Sequence, residues 1–407
     1  MRQHLAVALV IIAAVGACAS EAVEEAFNVT DSAGVSIAVS HAPLWPEGRG
    51  WRLEGQPSVL IGGGITDTTA IVGPIAGAMR LPDGRILVAD EGATRLRWFA
   101  DDGTILQSVG RQGEGPGEFR RLESLLHAGD TIAVYDGRTG QVSLFSMDGA
   151  FARKIRLSIP PGGYFGPKPV GRLATGEWIS RVDMVARMDG VSGVIRDSTH
   201  VWLNETSGTL AKHVSAVPGP ELMKVFVDGE FSGSRALLGH RTTIRFHDGA
   251  LWAGTGDAFQ VDQVNLNGET HRSVRLAVAP APVSAAEIDA LIDSAKSRYA
   301  GMSDPRWKDA FTRTLEAAPR PTVKPAYSTF TFDDAANLWI ERYGAGPELP
   351  SSWVVIDTAG RWLGDVTLPP GFEPTHIGTD EVLGIWTDPD GLQRVVGYPL
   401  IRDSTGM

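Results

Sequence analysis

The chain is poor in the groups that mark most small exported folds and most hydrolytic enzymes. Cys18 is the single cysteine in 407 residues, so no disulfide can form within one chain. No Gly-x-Ser-x-Gly, His-Glu-x-x-His or Cys-x-x-Cys occurs, which removes the nucleophile elbow, the zincin helix and the dithiol motif. The apolar run at residues 5–15 is too short to span a bilayer as a helix. Positive charge is also scarce: 37 Lys and Arg stand against 48 Asp and Glu, a net charge of −11. Such a surface repels phosphate backbones, so no nucleic acid is expected as a partner. What is plentiful is glycine (48) and proline (25), scattered rather than clustered. That pattern indicates many turns and not a low-complexity segment.

Arg2 and His4 precede the apolar run, and Val15-Gly16-Ala17-Cys18 follows it. The start therefore has the layout of a secretory signal peptide. The last four residues resemble the lipobox of bacterial lipoproteins. The resemblance implies that residues 1–17 are removed, that Cys18 carries the acyl chains, and that residues 18–26 are a tether. Ala19, rather than Asp, after the cysteine implies the outer membrane. Several acyl chains would make a firm anchor, each buried CH₂ contributing about 0.8 kcal/mol.

A repeat dominates the remainder, residues 27–407. Leu81-Pro82-Asp83-Gly84 is a turn, RILVAD and RLRWF read as strands, Asp101-Asp102-Gly103 is a hairpin turn, and TILQSVG is the next strand. The order recurs around TIAVYD, QVSLFS and Met147-Asp148-Gly149, and the hairpin glycine returns at Gly208, Gly268 and Gly360. Asp-Gly and Asn-Gly pairs supply the positive φ of tight hairpins. A four-stranded unit of about 40–50 residues cannot bury both faces alone, so several stack radially around a channel. Five units fall near 76–110, 121–157, 169–214, 240–276 and 326–368, and a sixth, 375–401, lacks its outer strand. Residues 27–61 carry strands without a unit of their own. Closure, with an N-terminal strand completing the last unit, removes both open edges. The fold expected is an all-β, six-bladed β-propeller of four-stranded antiparallel blades. GRQGEGPGEF at 110–119 resembles the inter-blade connection of NHL-repeat-type propellers, and DSAGV at 31–35 and FDDAANLWI at 332–340 resemble exported six-bladed propeller proteins. The segment at 110–119 lacks a Gly-Lys-Ser/Thr ending, so it reads as a chain reversal with Phe119 packed between blades, not as a phosphate loop.

Residues 284–319 interrupt the β pattern. Ser284-Ala285-Ala286-Glu287 is a capping box, Gly301 closes a helix, and Asp304-Pro305 opens a second. Their apolar stripes should cap a propeller face, or else offer a groove to a partner. Trp178, Trp252, Trp339 and Trp386 hold comparable second-strand positions. They are expected in the core between blades, the alternative being an aromatic ring that stacks on sugars. His240, Arg241, Arg245, Arg172, Arg121, Glu123 and His376 lie in or beside first strands, which line a propeller channel. Arg172, His240, Arg241 and His376 are expected to converge near strand starts as a ligand-binding set. Only Glu123 is placed as the metal ligands of six-bladed lactone hydrolases are, so no metal, cofactor or catalytic residue is assigned. Two functions remain. One is an envelope binding or scaffold module for a peptide, glycan or envelope protein. The other is a hydrolase or lyase with an active site at the channel mouth. Fold alone decides between neither.

Overall fold

The computed structural model describes residues 26–62, 73–161, 166–184, 189–344, 346 and 348–402. Cys18 and both proposed leader segments, apart from Ala26, lie outside them. The described chain opens with β1 (Phe27–Ser32), β2 (Val35–Ser40), β3 (Arg52–Leu53) and β4 (Val59–Ile61), and none of these starts a blade. Blade one is β5 (Ile75–Arg80), β6 (Ile86–Asp90), β7 (Arg95–Phe99) and β8 (Ile105–Val109). Blade two is β9 (Leu122–Ala128), β10 (Thr131–Asp136), β11 (Gln141–Ser146) and β12 (Phe151–Arg156). Blade three is β13 (Lys168–Arg172), β14 (Trp178–Asp183), β15 (Gly193–Asn204), β16 (Leu210–Val227) and β17 (Glu230–Arg235). Blade four is β18 (Thr243–His247), β19 (Ala250–Gly254), β20 (Gln260–Val264) and β21 (Thr270–Leu276). Two helices follow, α1 (Ala285–Ala300) and α2 (Pro305–Glu316). Blade five is β22 (Tyr327–Phe332), β23 (Leu338–Arg342), β24 (Ser351–Ile356) and β25 (Trp362–Leu368). Blade six has β26 (Phe372–Ile377), β27 (Glu381–Thr387) and β28 (Gln393–Ile401) from its own stretch of chain. The protein is a six-bladed β-propeller with an α-helical hairpin inserted between blades four and five.

Burial follows position within a blade. Second strands are enclosed by both neighbouring blades, so all five residues of β6 are buried. Outer strands alternate, as β8 does. Each pair of adjacent blades shares an apolar core. Trp98 and Phe119 lie between one and two, Trp178 between two and three, Ile179 and Val201 between three and four, Trp252 and Phe330 between four and five, and Trp339 between five and six. Three of the four second-strand tryptophans are therefore core, and Trp386 is partly buried against the same cluster as Trp339.

The ring closes through the N-terminal segment. β4 pairs antiparallel with β28 (Ile61 opposite Val395, Val59 opposite Gly397), and β3 pairs with its end. Val59 and Ile61 enter the core between blades six and one. The segment does more than fill the vacant strand. β1 and β2 form a hairpin whose β2 runs parallel to β21, widening blade four to six strands. Between the two, Trp45 lies on blade five, over Gly364, where a Cβ would come within 2.2 Å of the indole. Residues 27–61 thus form a belt across three blades.

The connection at 110–119 is a packed reversal. Phe119 is fully buried against Phe145, with ring centroids 5.9 Å apart. Glu118 accepts from the Gly115 amide (2.9 Å), and the Lys154 ammonium donates to the carbonyls of Glu114, Gly115 and Glu118. Gly110 has φ +98°, and a Cβ there would sit 2.7 Å from the Phe119 ring. Gly110→Ala should therefore cost about 2–4 kcal/mol, from left-handed strain plus overpacking. Phe119→Ala should cost about 3–5 kcal/mol. Denaturant midpoints check both, and a Gly110→Ala midpoint equal to wild type would show the reversal to be loose.

Blade three departs from the simple unit. β15 and β16 run on past the blade and, with β17, project beyond it; register shifts near Ser198 and Trp202 bend the pair. The helical hairpin packs there. Ile288, Ile292, Ala295, Ala310, Phe311 and Leu315 bury against Met223, Val225 and Leu238. Ser284 and Glu287 make the reciprocal capping bonds, and the Asp304 carboxylate accepts from the Arg306 amide. The hairpin is thus a cap seated on a projection of blade three.

Candidate functional site: the entry mouth of the channel

The six inner strands β5, β9, β13, β18, β22 and β26 run in one direction around the channel, as radial repetition requires. One mouth collects their starts and the other their ends, where the first hairpin of each blade turns.

This polarity separates the four residues expected to converge. His240 and Arg241 lie three and two residues before the start of β18 and stand at the entry mouth. Arg172 is the last residue of β13, and His376 the last but one of β26, so both stand at the opposite, hairpin mouth. The inner strands of blades three and six begin at Lys168 and Phe372, earlier than the sequence pattern suggested. Arg172 is also engaged locally. It donates to the Gly176 carbonyl (3.2 Å) and lies over the Trp178 ring at 5.5 Å. His376 Nε2 is 3.4 Å from an Asp334 oxygen.

Toward the entry mouth four arginines come from separate positions in two neighbouring pairs: Arg235 of β17 with Arg241, and, farther into the channel, Arg181 of β14 with Arg245 at the middle of β18. Arg181 donates to the Thr242 carbonyl (3.0 Å) and meets Asp183 at 3.2 Å. Arg235, Arg241 and Arg245 have no carboxylate within ion-pair distance among the described residues. Arg245 has only a 3.4 Å contact to the Ile244 carbonyl. It is enclosed by protein yet open to the channel's own solvent. That enclosure pushes its pKa down to about 10; the like charge of Arg181 adds to this and Glu373 opposes it. The group stays cationic at neutral pH. Arg235 is lowered by burial and by Arg241. The acids that act on Arg235, Arg241 and Arg245 are Glu373, second residue of β26, and Glu341 of β23. Glu341 is raised by burial, with Arg241 and the Ser328 hydroxyl pulling the other way and Glu373 reinforcing the rise. Burial also raises Tyr343, which joins the mouth to the core of the helical cap. Across the mouth Lys168 pairs with Glu123, and Arg121 lies 3.9 Å from both Glu91 and Glu123.

His240 is held in place. Glu221 Oε2 accepts from its backbone N–H and from Nδ1, each at 2.9 Å, and Nε2 is 3.7 Å from Asp257. Arg196 grips Asp257 with bonds of 2.6 and 2.8 Å, and the Thr255 hydroxyl donates at 2.6 Å. This chain ties the projection of blade three to blade four beside the mouth.

Two concavities lie elsewhere. A broad one of about 530 Å³ opens beside the cap at Met302, Asp304, Trp307 and Phe311. A smaller one of about 200 Å³ sits between blades four and five at the hairpin mouth, lined by Trp252, Phe332 and Arg272. Neither concentrates unpaired charge as the entry mouth does. Among the described residues no group of three or more His, Cys, Asp or Glu is placed to hold a metal ion.

Sequence reasoning reached Arg241 and Arg245 but missed Arg181, Arg235, Glu341 and Glu373. One signal was available: Glu373 holds the same second position in β26 that Glu123 holds in β9. Arg235 had none, because it lies on a strand outside the repeat.

Residues 72–165, which span blades one and two, match the model of a family described as a 6-bladed beta-propeller, DUF5128. No curated protein matches the chain. A solved member of the duf4221 family from Bacteroides vulgatus is 8% identical, covering 87% of this chain and 99% of its own, with a TM-score of 0.51. A protein of unknown function from Dyadobacter fermentans is 13% identical over 87% of this chain and 100% of its own, with a TM-score of 0.45. Virginiamycin B lyase from Staphylococcus aureus is 10% identical over 81% of this chain and 96% of its own, at 0.39. The Bacteroides vulgatus likeness bears on the fold alone.

Proposed function

We propose that the protein is an exported binding module, lipid-anchored to the envelope through Cys18, whose entry mouth takes a carboxylate-bearing ligand. A peptide, an acidic glycan or an acidic segment of an envelope protein would supply that group. The observation that carries the reading is the set Arg235, Arg241 and Arg245: three guanidiniums without ion-pair partners among the described residues, Arg235 beside Arg241 and Arg245 beside Arg181, in a protein of net charge −11. Gathering like charges costs free energy, and a bound anion offsets it. A guanidinium fork suits a carboxylate geometrically, and a local positive spot steers anions toward the mouth. The outward net charge argues equally against nucleic acid, leaving the membrane to be engaged through the acyl chains.

Calorimetric titration with triglutamate and with a galacturonate trimer, at low and at high salt, tests the reading. Saturable binding of either, weakening with salt, is expected. Absence of binding by both at millimolar concentration would refute it. The anchor has its own test. Cells fed a fatty-acid probe should label the wild-type chain and leave Cys18→Ala unlabelled, whereas equal labelling would rule the anchor out.

The enzyme reading rests on His240, whose Nδ1 is oriented by Glu221 as a general base would be. Its Nε2 faces Asp257 rather than open channel, which favours binding over catalysis here.

A further inference from the structure

We infer that His200 and His213 form a two-histidine site for a copper, nickel or zinc ion on the outer part of blade three, separate from the channel mouth. His200 lies on β15 and His213 on the adjacent antiparallel β16, where His213 faces Trp202 in the register. A register shift between Val201 and Trp202 brings the two imidazoles together. Nδ1 of His200 and Nε2 of His213 are 3.0 Å apart, with ring centroids at 4.9 Å.

The separation suits a shared metal ion. Metal–imidazole bonds of about 2.0–2.1 Å place two nitrogens about 2.9 Å apart at a right angle and about 3.4 Å apart at the tetrahedral angle. In the metal-free pair one nitrogen donates its hydrogen to the lone pair of the other. Ligation by neutral imidazoles needs both lone pairs free. If His213 is the donor, it moves its proton from Nε2 to Nδ1; if His200 is the donor, it moves its proton from Nδ1 to Nε2. Either way the proton stays on the ring, none is released, and nothing is oxidised or reduced. Burial and the neighbouring His213 lower the pKa of His200, which favours the neutral, ligating form, while Asp197 opposes this. The Trp202 ring lies edge-on to His213 at 4.8 Å and fixes that imidazole against the sheet. His213 itself is exposed, so the ion can enter from solvent. Two protein ligands leave the other coordination positions to water or to a donor from another molecule. The site is therefore exchangeable and selective for imidazole-preferring ions over calcium and magnesium.

The test uses the full chain without a polyhistidine tag, titrated with Cu²⁺ and with Zn²⁺ by calorimetry. Tryptophan emission is followed in parallel, since Cu²⁺ beside Trp202 quenches it. One saturable site of micromolar affinity is expected. It should weaken at least tenfold in His200→Ala and equally in His213→Ala, both keeping the wild-type melting temperature. His271→Ala should bind as wild type does, and Ca²⁺ and Mg²⁺ should not compete. The inference is overturned if no saturable site is found, if neither substitution changes it, or if only one of the two does. Because the mouth is untouched, failure here leaves the proposed carboxylate site standing.

Discussion

A chain lacking residues 27–61 is expected to lose its cooperative thermal transition, or to melt far below the full chain. The deletion takes away β4, the outer strand of blade six, and opens the edge of β28. It also strips Val59 and Ile61 from the core that joins the last blade to the first, and Trp45 and Trp51 from the outer side of blades five and six. Losing a buried aliphatic side chain costs about 2–5 kcal/mol. Several such losses together reach the about 5–15 kcal/mol that holds a typical protein folded. A shorter deletion, residues 27–40, removes only the β1–β2 hairpin from blade four. β1 is largely exposed, and the main internal losses are Ala38 and the Ser40 hydroxyl bridge to Gly360 and Trp362. That variant should remain folded with a modestly lower melting temperature. Circular dichroism melts of the three chains decide the matter. Equal melting of the long deletion and the full chain would mean that the belt does not close the ring.

The paired substitution Arg241→Ala with Arg245→Ala is expected to weaken binding of a carboxylate probe at least a hundredfold. A hydrogen bond to a charged group contributes about 1.5–3 kcal/mol, and each 1.4 kcal/mol is about tenfold in affinity. Folding should survive, since neither guanidinium has a carboxylate within ion-pair distance among the described residues, removing Arg241 relieves its repulsion of Arg235, and Glu341 can take up a proton when Arg241 is gone. Arg172→Ala and His376→Ala serve as controls at the hairpin mouth and should change affinity less than twofold. Titration calorimetry on the two pairs reads both outcomes. Equal loss in both pairs would point to a general charge effect and not to a site.

The sequence and the structure agree most closely where a local rule acts alone. The hairpin glycines, the buried second strands, the capping box at Ser284 and the packing of Phe119 each follow from a few adjacent residues and elementary sterics. The vacant strand of the sixth unit was legible for a different reason, because an open sheet edge needs a partner and the N-terminal strands had none. The path of the belt was not legible. Parallel pairing of β2 with β21 joins segments more than two hundred residues apart, and nothing in either strand specifies it. The channel failed on polarity. Arg172 and His376 lie in first strands, as expected, but those strands are only five and six residues long and begin one and three residues before the expected 169 and 375, so both side chains fall at the far mouth. The projection of β15, β16 and β17 was hidden because its long strands break the repeat, and with it went Arg235 and the seat of the helical cap.

A crystal structure of the full chain with bound triglutamate tests the central claim most directly. The account predicts a ligand carboxylate at the entry mouth, with its oxygens within hydrogen-bond distance of the Arg241 and Arg245 guanidiniums and with Arg235 nearby. Triglutamate at the hairpin mouth beside Arg172 and His376, or in the pocket lined by Trp252 and Arg272, would contradict it.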